Sequence, residues 1–243
     1  MNVVELKNVN KVFYNDLGKI EVLKDISFNV EKGKIISIVG PSGSGKSTIL
    51  NIISKIVDVT TGEVIIDGTI GYMFQKDQLF SWRNTWDNVT IGLEITKQND
   101  IEHQKRVSQM LIKYGLVDFV NSYPSELSGG MRQRIALIRT LATEPKILLL
   151  DEPFSALDYQ TKLTVSNDVY RIIREEGLTA ILVTHDITEA ISMSDQIIVL
   201  SNRPAKIKKI HNVEFDKSLN PISRRKTIEF TKYFDEIWSE LNE

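Results

Sequence analysis

Apolar residues recur along the chain at two spacings. Val3 to Val9 and Ile20 to Val30 alternate apolar and polar positions, the second setting Val22, Ile26, Phe28 and Val30 around Lys24 and Asp25, which predicts two half-buried strands. Phe13 and Tyr14 lie between them in a polar stretch that reads as a turn. Three further runs are apolar without alternation. Ile35, Ile36, Ile38 and Val39 form the first, Ile147-Leu148-Leu149-Leu150 within Lys146 to Leu150 the second, and Ala180 to Thr184 the third. A continuous run marks a parallel strand covered on both faces. Gln196 to Leu200 closes the series. Glu63 to Ile66 and Ile70 to Phe74 read as a short hairpin turned at Asp67-Gly68.

Helical spacing fills the gaps. Ser47 to Ile56 is helix-like, Val107, Met110, Leu111 and Tyr114 fall at i, i+3, i+4, i+7, and Ile135, Ile138, Leu141 and Ala142 follow suit. Strands alternating with helices predict an α/β fold, a mostly parallel sheet with helices on both sides. The stretch from about 77 to 142 breaks the alternation and reads as a helical insertion. Phe230, Phe234, Ile237, Trp238 and Leu241 share one face of an amphipathic helix over about 221–242. Its polar face is acidic as well as basic, which favours packing on its own domain over lipid. No repeat, low-complexity tract or linker interrupts the chain, so 1–243 reads as a single domain.

Composition narrows the function classes. At 243 residues the chain can bury one large core, and with no cysteine it has no disulfide, thiol nucleophile or cysteine metal site, which fits a reducing cytosol. A net charge of -2 with no block of like charge argues against a nucleic-acid partner. The first ten residues lack a signal-peptide layout, and no apolar stretch approaches the ~18 to 20 residues of a membrane helix. If the protein works at a membrane, a partner supplies the span.

The chemistry starts at Gly40, Pro41, Ser42, Gly43, Ser44, Gly45, Lys46, Ser47 and Thr48, a glycine-rich turn between an apolar strand and a helix. Such a turn aims successive backbone N–H groups and a helix N-terminus at one anion, Lys46 reaching β- and γ-phosphates and Ser47 ligating Mg²⁺. Asp151 and Glu152 end the second buried strand, where open parallel sheets place their ligand sites. Asp151 suits the magnesium, and Glu152 suits a general base for water in line with a γ-phosphate. A second glycine pair stands in Leu127-Ser128-Gly129-Gly130-Met131-Arg132-Gln133-Arg134, with Ser128 as helix cap. Two phosphate-seeking helix ends on one chain make sense if the second faces the nucleotide of another copy. His103 in a charged helix face and His211 in a basic stretch read as solvated. Phe80, Trp82 and Trp86 fit either core packing or a groove that receives a helix of another protein.

Taken together, Gly40 to Thr48 as Walker A, Gln75 in Tyr-Met-Phe-Gln, the Leu127 to Arg134 signature, Ile147 to Glu152 as Walker B, Ser155-Ala156-Leu157-Asp158 and His185 in Val-Thr-His-Asp resemble, over essentially the whole chain, an ABC transporter ATP-binding subunit. The resemblance implies a P-loop NTPase core with an antiparallel β subdomain, ATP and Mg²⁺ as ligands, and a homodimer joined through its ATP sites. It implies Phe13, with Tyr14 as the second candidate, as the adenine-stacking aromatic and Gln75 as the sensor of γ-phosphate, Mg²⁺ and water that connects to the transmembrane partner. Ser128, Gly129 and Gly130 would close on the opposite subunit's γ-phosphate, Asp158 would cross the interface, and His185 would hold the transition-state geometry. Two departures stand out: only seven residues separate Asp67 from Gln75, which implies a trimmed antiparallel subdomain, and Ile138-Arg139-Thr140-Leu141 replaces the usual Ala-Arg-Ala-Leu.

Trp82-Arg83-Asn84 with Asp87-Asn88-Val89, Arg203-Pro204-Ala205-Lys206-Ile207 and the aromatic terminal helix resemble the nitrate, sulfonate and taurine importer branch, which includes importers of thiamine-precursor pyrimidines. That implies integral membrane permease subunits as partners, a periplasmic or lipoprotein solute-binding protein acting indirectly, and a peripheral position on the cytoplasmic face of the cell membrane. An ABC exporter subunit and a soluble non-transport ABC ATPase are the competing readings. The absence of an Asn-Lys-x-Asp guanine reader sets aside a GTPase-type switch.

Overall fold

The computed structural model describes residues 1–15 and 18–242. Strands β1 (Asn2–Asn15), β2 (Gly18–Glu31) and β4 (Thr61–Ile66) form an antiparallel sheet in the order β2-β1-β4. The main sheet contains β3 (Ile35–Val39), β5 (Ile70–Met73), β6 (Ile147–Asp151), β7 (Thr179–Val183), β8 (Gln196–Leu200) and β9 (Ile207–Asn212), in the order β5-β6-β7-β3-β8-β9. All its pairings are parallel except β8 with β9. Helix α1 (Lys46–Ile53) follows β3, and α2 (Thr85–Thr96), α3 (Ile101–Lys113) and α4 (Gly129–Leu141) lie between β5 and β6. Helices α5 (Tyr159–Glu175), α6 (Ile187–Met193), α7 (Pro221–Arg224) and α8 (Ile228–Asn242) are the remaining α-helices.

The central strands read as unbroken apolar runs because they serve two cores at once. Side chains alternate across a strand, so Leu148 and Leu150 join Ala180 and Leu182 under α2 to α5, while Ile147 and Leu149 join Ile181, Val183, Ile36 and Ile38 beneath α1 and the antiparallel sheet. On β8 the split is between Ile198 and Leu200 on the second core and Ile197 and Val199 on a third, which α6 and α8 close with Ile191, Phe230 and Ile237.

Several expectations need correction. Glu63–Ile66 and Ile70–Phe74 are not a hairpin: β4 pairs with β1, and β5 pairs in parallel with β6. Asp67-Gly68 therefore turns the chain from one sheet to the other, and Asp67 N–H is held by Val3 O at 2.9 Å. Phe13 and Tyr14 are strand residues opposite Ile20 and Lys19, and the tip of the turn, 16–17, lies outside the described residues. Gln196–Leu200 does not close the series, since β9 adds an antiparallel edge whose inward positions are too few to alternate legibly. His211 on β9 is buried, not solvated, with Nε2 2.8 Å from Glu240 of α8. His103 lies near the surface, its Nδ1 2.8 Å from Asp100.

The terminal helix is two pieces, because Thr227 Oγ1 accepts from Phe230 N–H and starts α8 afresh. Helix α1 stops at Ile53, short of Ile56. Of the three aromatics after Gln75, Trp86 packs on the first core, whereas Trp82 is 73% exposed and tilts against Phe80 at 5.1 Å.

Candidate nucleotide site

The site collects at the C-terminal ends of β3, β6 and β7. After β3 the chain turns through residues 40–45, and Gly45, the N-cap of α1, has φ +104°. A Cβ there would meet Val22 Cγ1 at 2.8 Å and Leu23 Cδ2 at 2.9 Å, so only glycine lets the loop lie this close to β2. Unlike α2, α4, α5 and α6, α1 has no side chain capping its first N–H groups. Those donors point out of the loop toward any anion placed there. Ser44 Oγ, also in the loop, is buried without a hydrogen-bond partner.

Lys46 is curled over this loop, 6% exposed, its ammonium donating to Gly40 O at 2.9 Å and Pro41 O at 3.0 Å. Burial lowers its pKa, and the carboxylates of Glu152 and Asp151 oppose the fall. Ser47 Oγ donates to Asp151 Oδ1 at 3.0 Å, and Tyr72, on neighbouring β5, donates at 3.4 Å to Oδ2 and at 3.0 Å to Asn51. Burial raises the Asp151 pKa, with Glu152 adding to the rise and the Ser47 and Tyr72 hydroxyls resisting it. The Tyr72 phenol is itself pushed up by burial and by the Asp151 carboxylate. A hydroxyl and a carboxylate side by side form the all-oxygen set that suits magnesium, which takes most of its remaining ligands from water and phosphate.

Glu152 takes the left-handed backbone, φ +45°, which costs a non-glycine residue energy and is held here by its N–H donating to Val183 O at 2.8 Å. His185 Nδ1 lies 3.1 Å from Oε2, and Gln75 Nε2 donates to the same oxygen at 3.3 Å and to Ser155 Oγ at 3.4 Å. Three loops, after β5, β6 and β7, thus converge on one carboxylate oxygen.

The other predicted residues stand apart from this cluster. Ser128 caps α4 by accepting from Met131 N–H at 3.3 Å. Gly130 is where α4 crosses α5, since a Cβ would fall 2.8 Å from Thr161 Cγ2. Asp158 caps α5 through Gln160 and Thr161 N–H, each at 3.1 Å, and Thr161 holds its carboxyl below the usual range. None of these contacts reaches Lys46 or Asp151. Phe13 is 38% exposed, with Lys11 Nζ 4.7 Å over its ring.

Sequence reasoning quoted Tyr72 and Ser155 within motifs without giving either a role, and passed over two sets of tethers. Arg132 Nε donates to Asp77 at 3.0 Å and Arg139 donates to Asp77 O and Gln78 O, each at 2.6 Å, tying α4 to the segment after Gln75. Lys162 ties α5 to α6 through Asp186 at 2.6 Å and Glu189 at 3.1 Å. The i, i+7 spacing of the two arginines and the i+4 position of Lys162 after Asp158 were the available signals.

Comparison with known proteins gives the family. The ABC transporter family model matches residues 23–155. The chain is 44% identical to an ABC transporter ATP-binding protein of Bacillus subtilis (strain 168), YtlC, over 100% of this chain and 96% of that one. It is 38% identical to the nitrate import ATP-binding protein NrtD of Synechocystis sp. (98% and 94% covered), and 37% identical to the aliphatic sulfonates import ATP-binding protein SsuB of Bacillus cereus (95% and 96%). The ATP-binding cassette MJ0796, solved as a post-hydrolysis dimer with ADP and Pi, superposes with TM-score 0.75 at 32% identity, covering 88% of this chain and 100% of that one. The chain belongs to the ABC transporter family, as one of the ATP-binding proteins that hydrolyse ATP to power transport.

Proposed function

We propose that two copies of this chain bind two ATP molecules between them and drive a membrane permease that imports a small solute of the nitrate, sulfonate or taurine kind, or a thiamine-precursor pyrimidine. The observation that carries the reading is the Glu152 carboxylate, met by His185 and Gln75 beside the Lys46, Ser47 and Asp151 cluster. The free N–H groups at α1 and the backbone of residues 40–45 cradle the phosphates, Phe13 stacks on the adenine, and Lys46 leaves its two carbonyl partners for β- and γ-oxygens. Magnesium, held by Ser47, Asp151 and Gln75, would supply charge neutralisation of the phosphates. Glu152 takes the proton of the attacking water while His185 holds the γ-phosphate.

Ser128, Gly129 and Gly130 make no contact with the cradle of their own chain, which supports their facing the γ-phosphate of the second copy. Asp158 lies at the same boundary. Closure then follows ATP occupancy by mass action, and hydrolysis lets the pair reopen. Exposed Trp82, next to Phe80 and four residues from the tethered 77–78 segment, suits a docking helix of the permease. The protein sits on the cytoplasmic face of the membrane through that permease, with a periplasmic or lipoprotein binding protein choosing the solute. Among the described residues no helix is long and apolar enough to cross a membrane.

The test is ATP turnover by the chain reconstituted in vesicles with its permease and binding protein, with nitrate, taurine, an alkanesulfonate and a pyrimidine supplied on the binding-protein side. One of them should stimulate turnover and accumulate. Stimulation only by solute on the ATP side would overturn the import reading in favour of export.

A further inference from the structure

A cavity lies at the opposite end of β3 from the nucleotide site. It encloses about 970 Å³ between the turn before β3, the second half of α5 and the segment from Val213 to Arg224. Five-residue β3 spans roughly 17 Å between the two ends. Six cationic side chains line this cavity against three carboxylates, Glu175, Asp195 and Glu214. Of the three, Glu175 pairs outside the cavity with Lys113 at 2.7 Å, whereas Asp195 is spent within it, on the lining Arg174 at 2.7 Å and on Ile35 N–H at 2.8 Å.

Arg224 is the anomaly. It is 5% exposed, yet its guanidinium donates only to neutral oxygens, Leu219 O at 3.2 Å, Ser192 O at 3.1 Å and Tyr170 hydroxyl at 2.7 Å. Among the described residues no carboxylate lies within ion-pair distance of it. Arg224 and Arg174 both stack on the Tyr170 ring, at 4.9 and 5.0 Å, so two like charges flank one aromatic. Burial lowers the Arg224 pKa, and neighbouring Arg174 deepens the fall while Tyr170 and Asp195 oppose it. A buried cation is ordinarily paired, and a guanidinium that uses three of its five N–H groups on neutral partners has two to spare.

We propose that this cavity binds a small oxyanion, inorganic or carrying a short alkyl tail, with Arg224 as its buried counter-charge and Lys34, Arg171 and Lys217 at the rim. The oxyanion takes the free N–H groups of Arg224, and Val213 and Leu219 on the cavity wall receive a tail. Because α5 runs from Asp158 to this cavity, occupancy bears on the helix that begins at the proposed dimer boundary.

Calorimetric titration of the full chain, with ADP and Mg²⁺ saturating the nucleotide site, tests the assignment. Inorganic phosphate and methanesulfonate are the two probes, binding of the first alone marking an inorganic ligand and of the second an alkyl-bearing one. Saturable binding of either, weakened at least tenfold in Arg224→Gln and in the exposed rim variant Lys34→Glu/Lys217→Glu, is expected. The rim variant keeps the test valid if Arg224→Gln does not fold. No saturable binding of either probe, or affinities unchanged in the rim variant, would overturn the proposal.

Discussion

Replacing Glu152 with glutamine isolates one function of one atom. The amide is isosteric with the carboxylate, so its oxygen can still accept from His185 Nδ1, now 3.1 Å away, and from Gln75 Nε2, at 3.3 Å. The strained backbone at φ +45° and its bond to Val183 O do not depend on the side chain. The chain should therefore fold and bind nucleotide as before, while the group that removes a proton from water is gone. A general base contributes about 10² to 10⁴ in rate, which corresponds to about 3 to 5 kcal/mol in the barrier. Lys46, Ser47 and Asp151 remain, so turnover should fall by that factor and not vanish. The assay pairs phosphate release at saturating ATP and magnesium with the dissociation constant of a fluorescent ATP analogue and the melting temperature. Hydrolysis within about twofold of the parent would place the base elsewhere. A drop matched by an equal loss of affinity would show instead that Glu152 serves binding.

Two further substitutions probe the scaffold. Gly45→Ala puts a Cβ 2.8 Å from Val22 Cγ1 at φ +104°, and urea unfolding should report a loss on the order of 1 to 3 kcal/mol together with weakened nucleotide binding; an unchanged midpoint would contradict the close approach to β2. Lys162→Met leaves two carboxylates without their shared cation, one of them Glu189 at 1% exposure, and should cost about 3 to 5 kcal/mol at pH 8. The pH dependence has a definite sign. Burial pushes Glu189 up to about 7 against the pull of Lys162, so its neutral form favours the folded state below the ordinary carboxyl range and that contribution is lost as pH rises toward 7. Asp186, despite burial, is held down to about 2 by Lys162 and Thr188, so its contribution disappears only as pH falls from about 4 toward 2. At pH 5 Glu189 is protonated with or without Lys162, and the deficit of the variant should shrink; an equal deficit at pH 5 and pH 8 would contradict the pairing with Glu189.

The parallel strands and the nucleotide motifs were legible because each depends on neighbours in sequence. Ile147 to Leu150 could only be a strand buried on both faces, and Gly40 to Ser47 needs nothing beyond its own backbone to form a loop and helix start. The failures share a cause. Only three residues separate Ile66 from Ile70, a turn signal among them, and local chemistry favours a hairpin; the outcome was decided by β1 and β6, which offered open edges in two different sheets. His211 looked solvated among lysines until α8 laid Glu240 against it.

Sequence alone determined the order of chemical groups along the chain: a phosphate-binding turn, an acidic pair after a buried strand, a glycine pair opening a helix, and the single His185 after β7. Tertiary structure decided which of these meet. Gln75, Glu152 and His185 converge on one carboxylate oxygen because β5, β6 and β7 are adjacent and parallel, so their C-terminal loops share an edge. Ser128 to Gly130 are held apart from that cluster, at the place where α4 packs on α5 through Gly130. Arg224 without a counter-ion was equally invisible, since a buried charge and its missing partner are properties of packing, which brings Tyr170, Ser192 and Leu219 together from distant parts of the chain.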